Sequence, residues 1–165
     1  IIPEFNLYEE FWKIYTKSDI IPPQYISADA IVDRSIVGEG CEIYGELHNS
    51  IIGAGVVIKK GTVVRDSIIM KQTVIGENSV IDKAIIAENV TVGNNVVMGV
   101  GEAVPNKEKP SVYSFGLVTI GENSVIPANV RIGVNTAIVG ATSAEDYPGG
   151  ELASGETLNK EGETA

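Results

Sequence analysis

The amino-acid sequence predicts an all-β chain, a single-stranded parallel β-helix built from hexapeptide repeats, and three observations carry that prediction. The first is compositional: 22 Ile and 20 Val stand against 5 Leu in 165 residues. β-branched side chains lose rotamer freedom in a helix and pack well on a pleated surface, so short strands should dominate. The second is a period. Aliphatic residues, with one Met, recur mostly six apart at Val37, Ile43, Ile52, Ile58, Val64, Ile69, Ile75, Ile81, Ile86, Val92 and Met98, then at Ile120, Ile126, Ile132 and Ile138. Six fits neither an amphipathic helix nor one strand; it fits a short strand, a turn, and a large side chain pointing into a narrow prism at each face. The third is a longer period. RSIVG, NSIIG, DSIIM and KAIIA begin at Arg34, Asn49, Asp66 and Lys83, the last two steps being 17 residues each. A three-faced coil of six, six and five residues, stacked on its neighbour at about 4.8 Å, pairs its backbone between coils and merges the aliphatics into one core.

The elements follow in order. Residues 1–25 hold six of the ten aromatics, namely Phe5, Tyr8, Phe11, Trp12, Tyr15 and Tyr25. Asn6 can cap a short linker helix through Thr16, with Leu7, Phe11 and Ile14 on one face, and Pro22-Pro23 then hands an extended chain to the first coil. An isolated prism end exposes its core, so this segment is expected to cap it. Its other face, with Tyr8, Trp12 and Tyr15, is expected to contact another domain or a second subunit. The β-helix domain is expected over 26–140. Within it a small or β-branched residue usually sits two before the inward aliphatic, as at Thr62, Thr73, Ser79 and Ser124. Adding 17 sets Arg65 beside Asp82 and Asp66 beside Lys83, which predicts surface ion pairs, and His48 falls in the Arg65 column. Met98 to Ile120 spans 22 residues, so a loop over 99–116 leaves the register. After Ile138 the repeat ends, and 141–165 read as an acidic, solvated tail.

Composition removes several function classes. No run of 18 apolar residues is present, which argues against a membrane helix. A net charge of -10 opposes nucleic acid and anionic membrane surfaces. The single Cys41 forms no internal disulfide and fits a cytoplasmic chain, and with His48 the only histidine there is no Cys/His zinc set. A γ-type carbonic anhydrase, which needs three histidines, is therefore excluded.

The remaining chemistry is sparse. Hexapeptide acyltransferases use a coil-edge histidine as general base, but His48 lies in an irregular nine-residue step between Ile43 and Ile52 and reads as an exposed turn residue. Cys41 sits two before Ile43, at the small inward slot, as an inert core thiol. Glu39, Glu77, Glu88 and Glu122 follow the turns of the repeat and do not pair. Three classes stay open: a regulatory and assembly domain of a nucleotidyltransferase, a stand-alone acyltransferase, and a purely structural solenoid.

The segments FNLYEEFWKIYT, IPPQYI, SIVGEG, SIIGAGVVIKKGTVVRDSIIM, AIIAENVTVG and YSFGLVTIGENSVIP, in this order from about residue 3 to 148, resemble the C-terminal region of bacterial glucose-1-phosphate adenylyltransferases. The resemblance implies a left-handed β-helix. It implies a catalytic domain in cis that joins ATP and glucose 1-phosphate into ADP-glucose and pyrophosphate with Mg²⁺, in glycogen synthesis. That domain carries a Gly-rich phosphate loop which this sequence lacks, so the chain alone is expected to be inactive, with no catalytic residue, cofactor or metal of its own. The resemblance further implies a cytoplasmic homo-oligomer, a tetramer, regulated by a phosphorylated sugar. It places basic effector contacts at Lys83 and, in the loop, at Lys107 and Lys109.

Overall fold

The computed structural model describes Phe11 and residues 20–160. They form a three-faced parallel solenoid. The linker helix and the contact residues Tyr8, Trp12 and Tyr15 lie outside the described residues.

The first face stacks Tyr25–Ile26, Glu42–Ile43, Val57–Ile58, Val74–Ile75, Thr91–Val92 and Val125–Ile126. The second stacks Ile31–Asp33, Glu46–His48, Val63–Arg65, Val80–Asp82, Val97–Val100, Arg131–Gly133 and Glu151–Leu152. The third stacks Ile36–Val37, Ile51–Ile52, Ile68–Ile69, Ala84–Ile86, Val118–Ile120, Thr136–Val139 and Thr157–Asn159. Every pairing is parallel, and each inward aliphatic meets the one in the next coil, as in Ile43, Ile58, Ile75 and Val92. All four are fully buried.

The small residues at the corners have a second task. A prism corner turns backbone amides inward, where no strand ladder reaches them, and a buried amide needs an acceptor. Hydroxyls one coil below supply it. Ser50 N–H donates to Ser35 Oγ (3.1 Å), Ser67 N–H to Ser50 Oγ (3.2 Å) and Ala84 N–H to Ser67 Oγ (3.0 Å). Ser79 N–H likewise donates to Thr62 Oγ1 (3.2 Å), and Val90 N–H to Thr73 Oγ1 (3.2 Å).

Several expectations are corrected. The nine-residue step hides Leu47, which is fully buried in the second-face column with Val64. The turn before it, Tyr44-Gly45, is two residues shorter than Lys59-Lys60-Gly61-Thr62 one coil on, so the six-residue period skips it. His48 therefore ends a strand and does not occupy a turn. Its Nε2 lies 3.3 Å from the Glu46 carboxylate.

The predicted ion pairs between Arg65 and Asp82 and between Asp66 and Lys83 do not form. The columns are as expected, but no such contact closes to 4.0 Å, and Asp66 instead accepts from Asn49 Nδ2 at 2.6 Å. Exposed pairs gain so little that solvent and a local amide outcompete them.

The acidic tail expected over 141–165 is, through Asn159, a further coil. Glu151–Leu152 pairs with Arg131–Gly133, and Thr157–Asn159 with Thr136–Val139. The step from Ile138 to Leu158 is 20 residues, and the inward side chains become Tyr147, Leu152 and Leu158 in place of Ile and Val, which conceals the repeat among acids that face outward. Tyr147 joins the core, and its hydroxyl lies 2.9 Å from Thr142 Oγ1.

Burial pushes the Tyr147 phenol up to about 12, against an ordinary value of 10.0. The folded chain holds the neutral form, so this contribution to stability is complete below the unfolded value and is lost as pH rises toward about 12. Denaturant titrations at increasing alkaline pH should show that loss. Tyr147→Phe should flatten the step, and an unchanged profile in that variant would refute the assignment.

Candidate functional site

The insertion after Val97–Val100 leaves the solenoid and returns at Val118–Ile120, so residues 101–117 form the loop. Its two prolines and two lysines suggest a solvated excursion, yet it is docked on the last coil. Two asparagines hold it. Asn135, at a left-handed φ of 55°, donates through Nδ2 to Val104 O (2.7 Å) and accepts at Oδ1 from Gly116 N–H (2.8 Å), gripping both limbs of the loop. Asn tolerates that backbone region better than most residues, because its short amide bonds locally.

Asn106, only 2% exposed, donates from Nδ2 to Asn135 O (3.0 Å) and Thr157 Oγ1 (3.1 Å). Its Oδ1 accepts from the backbone N–H of Glu108 (3.0 Å) and Lys109 (2.8 Å). Lys107 N–H reaches Gly155 O at 2.8 Å. The loop therefore has a fixed backbone, in which long-range bonds replace the strand ladder.

The three lysines fall as follows. Lys83 occupies the corner before Ala84–Ile86 at a φ of 48°, its carbonyl accepting from Val118 N–H (2.9 Å) at the loop exit. Its side chain runs past Gly116, where an added Cβ would lie 4.0 Å from Lys83 Cδ. Lys107 Nζ is bonded to the Glu156 carboxylate. Lys109 is exposed and has no carboxylate within 4.0 Å among the described residues. The structure thus ties Lys83 to the loop exit and Lys107 to the last coil, and it already neutralises the Lys107 charge.

A cavity of about 350 Å³ opens where the loop leaves the solenoid, between Gly101, Glu102 and Val104 on one side and Arg131, Glu151 and Ser154 on the other. Arg131 is the polar group that sequence reasoning missed. The available signal was its place in NVRIG, at an outward strand position that is valine (Val63, Val80 and Val97) in the three preceding coils of this face. Arg131 and Glu151 are register neighbours on adjacent strands, and a cavity lined by a guanidinium and carboxylates suits a ligand bearing both acceptors and donors better than a bare anion.

The other candidates carry no chemistry. Cys41 is buried, its Sγ lies 2.9 Å from Gly53 O, and burial raises its thiol pKa, so it is a core residue. His48 lines neither this cavity nor the smaller hollow beside Tyr44 and Lys60. Among the described residues no three His, Cys, Asp or Glu side chains are placed to hold a metal ion, and no helix is long and apolar enough to cross a membrane.

Comparisons with known proteins agree with this architecture. The model of the family described as GlmU-like, C-terminal hexapeptide matches residues 24–120. A glucose-1-phosphate adenylyltransferase of Lachnospira eligens is 68% identical over 163 residues, 99% of this chain and 38% of the relative. Proteins of the same name from Acetivibrio thermocellus and Thermotoga maritima are 45% identical over 163 residues and 53% over 155, covering 38% and 37% of those relatives. The chain thus spans somewhat over a third of the length of the curated relatives it matches.

Proposed function

We propose that this chain, which belongs to the family of GlmU-like C-terminal hexapeptide domains, is the β-helix region of a glucose-1-phosphate adenylyltransferase. The single observation that carries this reading is the pattern of coverage: similarity runs over 99% of this chain and 38% of a relative that bears that name. In the reading, a catalytic domain in cis transfers the adenylyl group of ATP to glucose 1-phosphate, releasing pyrophosphate and forming ADP-glucose in the cytoplasm. This chain supplies assembly contacts, through Tyr8, Trp12, Tyr15 and the solenoid surface, and a regulatory surface. The transfer is an in-line displacement at phosphorus, which needs a phosphate-binding loop and a metal clamp. The described residues offer neither. An acyltransferase fits less well, because His48 faces carboxylates and lines no acceptor cavity.

The regulatory part of the reading is that a phosphorylated sugar contacts Lys83 and the docked loop at Lys107 and Lys109. An arriving phosphate would take Lys107 from Glu156, so anion binding would loosen the bond between loop and last coil. Two measurements test the whole. The purified chain with ATP, glucose 1-phosphate and Mg²⁺ should give no ADP-glucose, and metal-dependent turnover would overturn the reading. In the full-length protein, Lys107→Ala with Lys109→Ala should raise the effector concentration for half-activation. An unchanged value would remove the loop from regulation.

A further inference from the structure

The cavity where the loop leaves the solenoid, about 350 Å³, falls at the lower end of the range for small-molecule sites, ~300–1,000 Å³. Its charged groups serve nothing in the fold. Among the described residues, the side chains of Arg131, Glu102 and Glu151 close no ion pair within 4.0 Å, whereas Lys71, Lys107 and Lys160 each hold a carboxylate. The Ser154 hydroxyl, which also lines the cavity, has no hydrogen-bond partner among the described residues. At the rim, the backbone N–H groups of Gly101 and Glu102 meet no acceptor among them either.

Two glycines keep the space open. Gly101 has a φ of 100°, which favours glycine, and an added Cβ there would stand 2.9 Å from Ser154 Oγ, with no other non-neighbouring atom within 4 Å. A side chain at 101 would therefore project into the cavity. Gly133 is buried, and a Cβ on it would collide with Ser154 N and Oγ. The charges have a definite layout around this space. Arg131 and Glu151 are register partners on parallel strands, which lie about 4.8 Å apart. A cation and an anion thus stand side by side on one wall, while Glu102 puts a second anion on the wall made by the loop, beside apolar Val100 and Val104.

We propose that this cavity binds a free α-amino acid with a basic side chain. Arg131 takes the α-carboxylate on its two-pronged guanidinium, and Glu151 takes the α-ammonium. Those two ligand charges sit on one carbon, as their partners sit on neighbouring strands. Glu102 takes the side-chain cation across the gap, and the intervening methylenes lie along Val100 and Val104. The Ser154 hydroxyl and the free N–H groups of Gly101 and Glu102 are left for the remaining carboxylate lone pairs. Charge decides between ligand classes. Two acids and one base are matched group for group by a ligand with two cations and one anion. A bare anion meets two carboxylates, a polyamine sets a cation against Arg131, and a neutral sugar screens three charges from water without pairing any of them. The ligand would touch the loop and the last coil together, so its occupancy stabilises the docked loop by mass action. The inference uses none of Lys83, Lys107 and Lys109, and it does not require the adenylyltransferase reading.

Isothermal titration calorimetry of the purified chain tests it, with L-lysine, L-norleucine, acetate, putrescine and D-glucose as probes and circular dichroism to verify that each variant folds. L-lysine should bind. L-norleucine, which keeps the α groups and lacks the side-chain cation, should bind roughly tenfold more weakly. Acetate, putrescine and D-glucose should not saturate the chain at concentrations where L-lysine does. Arg131→Gln and Glu151→Gln should each weaken both amino acids by roughly tenfold or more. Glu102→Gln should weaken L-lysine alone and so erase its advantage over L-norleucine. Amide exchange at residues 101–104 should slow when L-lysine is added. Absence of L-lysine binding to the folded chain would overturn the proposal, as would equal affinity for the two amino acids. An Arg131→Gln chain that binds L-lysine like the parent, or a Glu102→Gln chain that keeps the preference, would do the same. Saturation by acetate, putrescine or D-glucose in the range of L-lysine would give the cavity to another class of ligand and also refute it. Turnover of ATP and glucose 1-phosphate tests the adenylyltransferase reading, so either can fail without the other.

Discussion

Ile75→Asp is expected to unfold the chain or leave it with little residual stability. Ile75 is fully buried and stacks between Ile58 and Val92 in the first-face column, with fully buried Ile81 and Ile69 on the other two faces. The substitution removes a packed aliphatic side chain and puts a carboxyl where no donor faces it. Loss of packing alone costs about 2–5 kcal/mol, and burying an unpaired polar group adds several more. That total is comparable to the whole stability of a domain of this size, on the order of 5–15 kcal/mol. Protonation of the introduced carboxyl would reduce the cost without removing it, because the cavity remains.

The control lies two residues away. Glu77 sits on the turn, and its side chain faces solvent while its backbone N–H donates to Asn94 Oδ1 at 2.9 Å. Glu77→Lys should stay within about 0.5 kcal/mol of the parent. Thermal unfolding of both variants decides the matter, and equal melting temperatures for Ile75→Asp and the parent would sink the prism assignment. Solenoid stability sums over coil interfaces, so damage at Ile75, in the middle of the stack, breaks two interfaces at once.

Ile75 could be placed from sequence because the hexapeptide period survives wherever the turns keep their length. Where a turn shortens, as at Tyr44-Gly45, or a step lengthens, as from Ile138 to Leu158, the same physics persists but the spacing no longer reports it. Leu47 and the last coil were hidden for that reason. Chemistry was less legible than fold. The columns of corner charges follow from adding 17, but whether neighbouring charges bond is decided by fractions of a kcal/mol against water, and spacing carries no such information. The docking of the loop was out of reach, because Asn106 and Asn135 are 29 residues apart and either, read alone, is an ordinary turn asparagine.

That pair sets the second large effect. Asn106→Ala is expected to detach residues 101–117 from the last coil and to cost about 3 kcal/mol. The side chain is almost wholly buried, and its amide joins Asn135 O, Thr157 Oγ1 and the N–H groups of Glu108 and Lys109. Each buried partner left unsatisfied costs about 1–3 kcal/mol, and opening the loop to water recovers part of that sum. The chain should therefore trade loop order for solvation instead of unfolding globally, since the columns of Ile43, Ile58 and Ile75 do not touch this site. Amide hydrogen exchange should rise at Lys107, Lys109 and Gly116, whose N–H groups bond to the last coil, to Asn106 or to Asn135. Protection at Val57, Val74 and Thr91 in the middle coils should be unchanged. Because Lys107 N–H bonds to Gly155 O, exchange in Glu156–Asn159 should rise with the loop. Unaltered exchange across 101–117 would show that the loop is held by its own prolines and short contacts, and that Asn106 merely fills space.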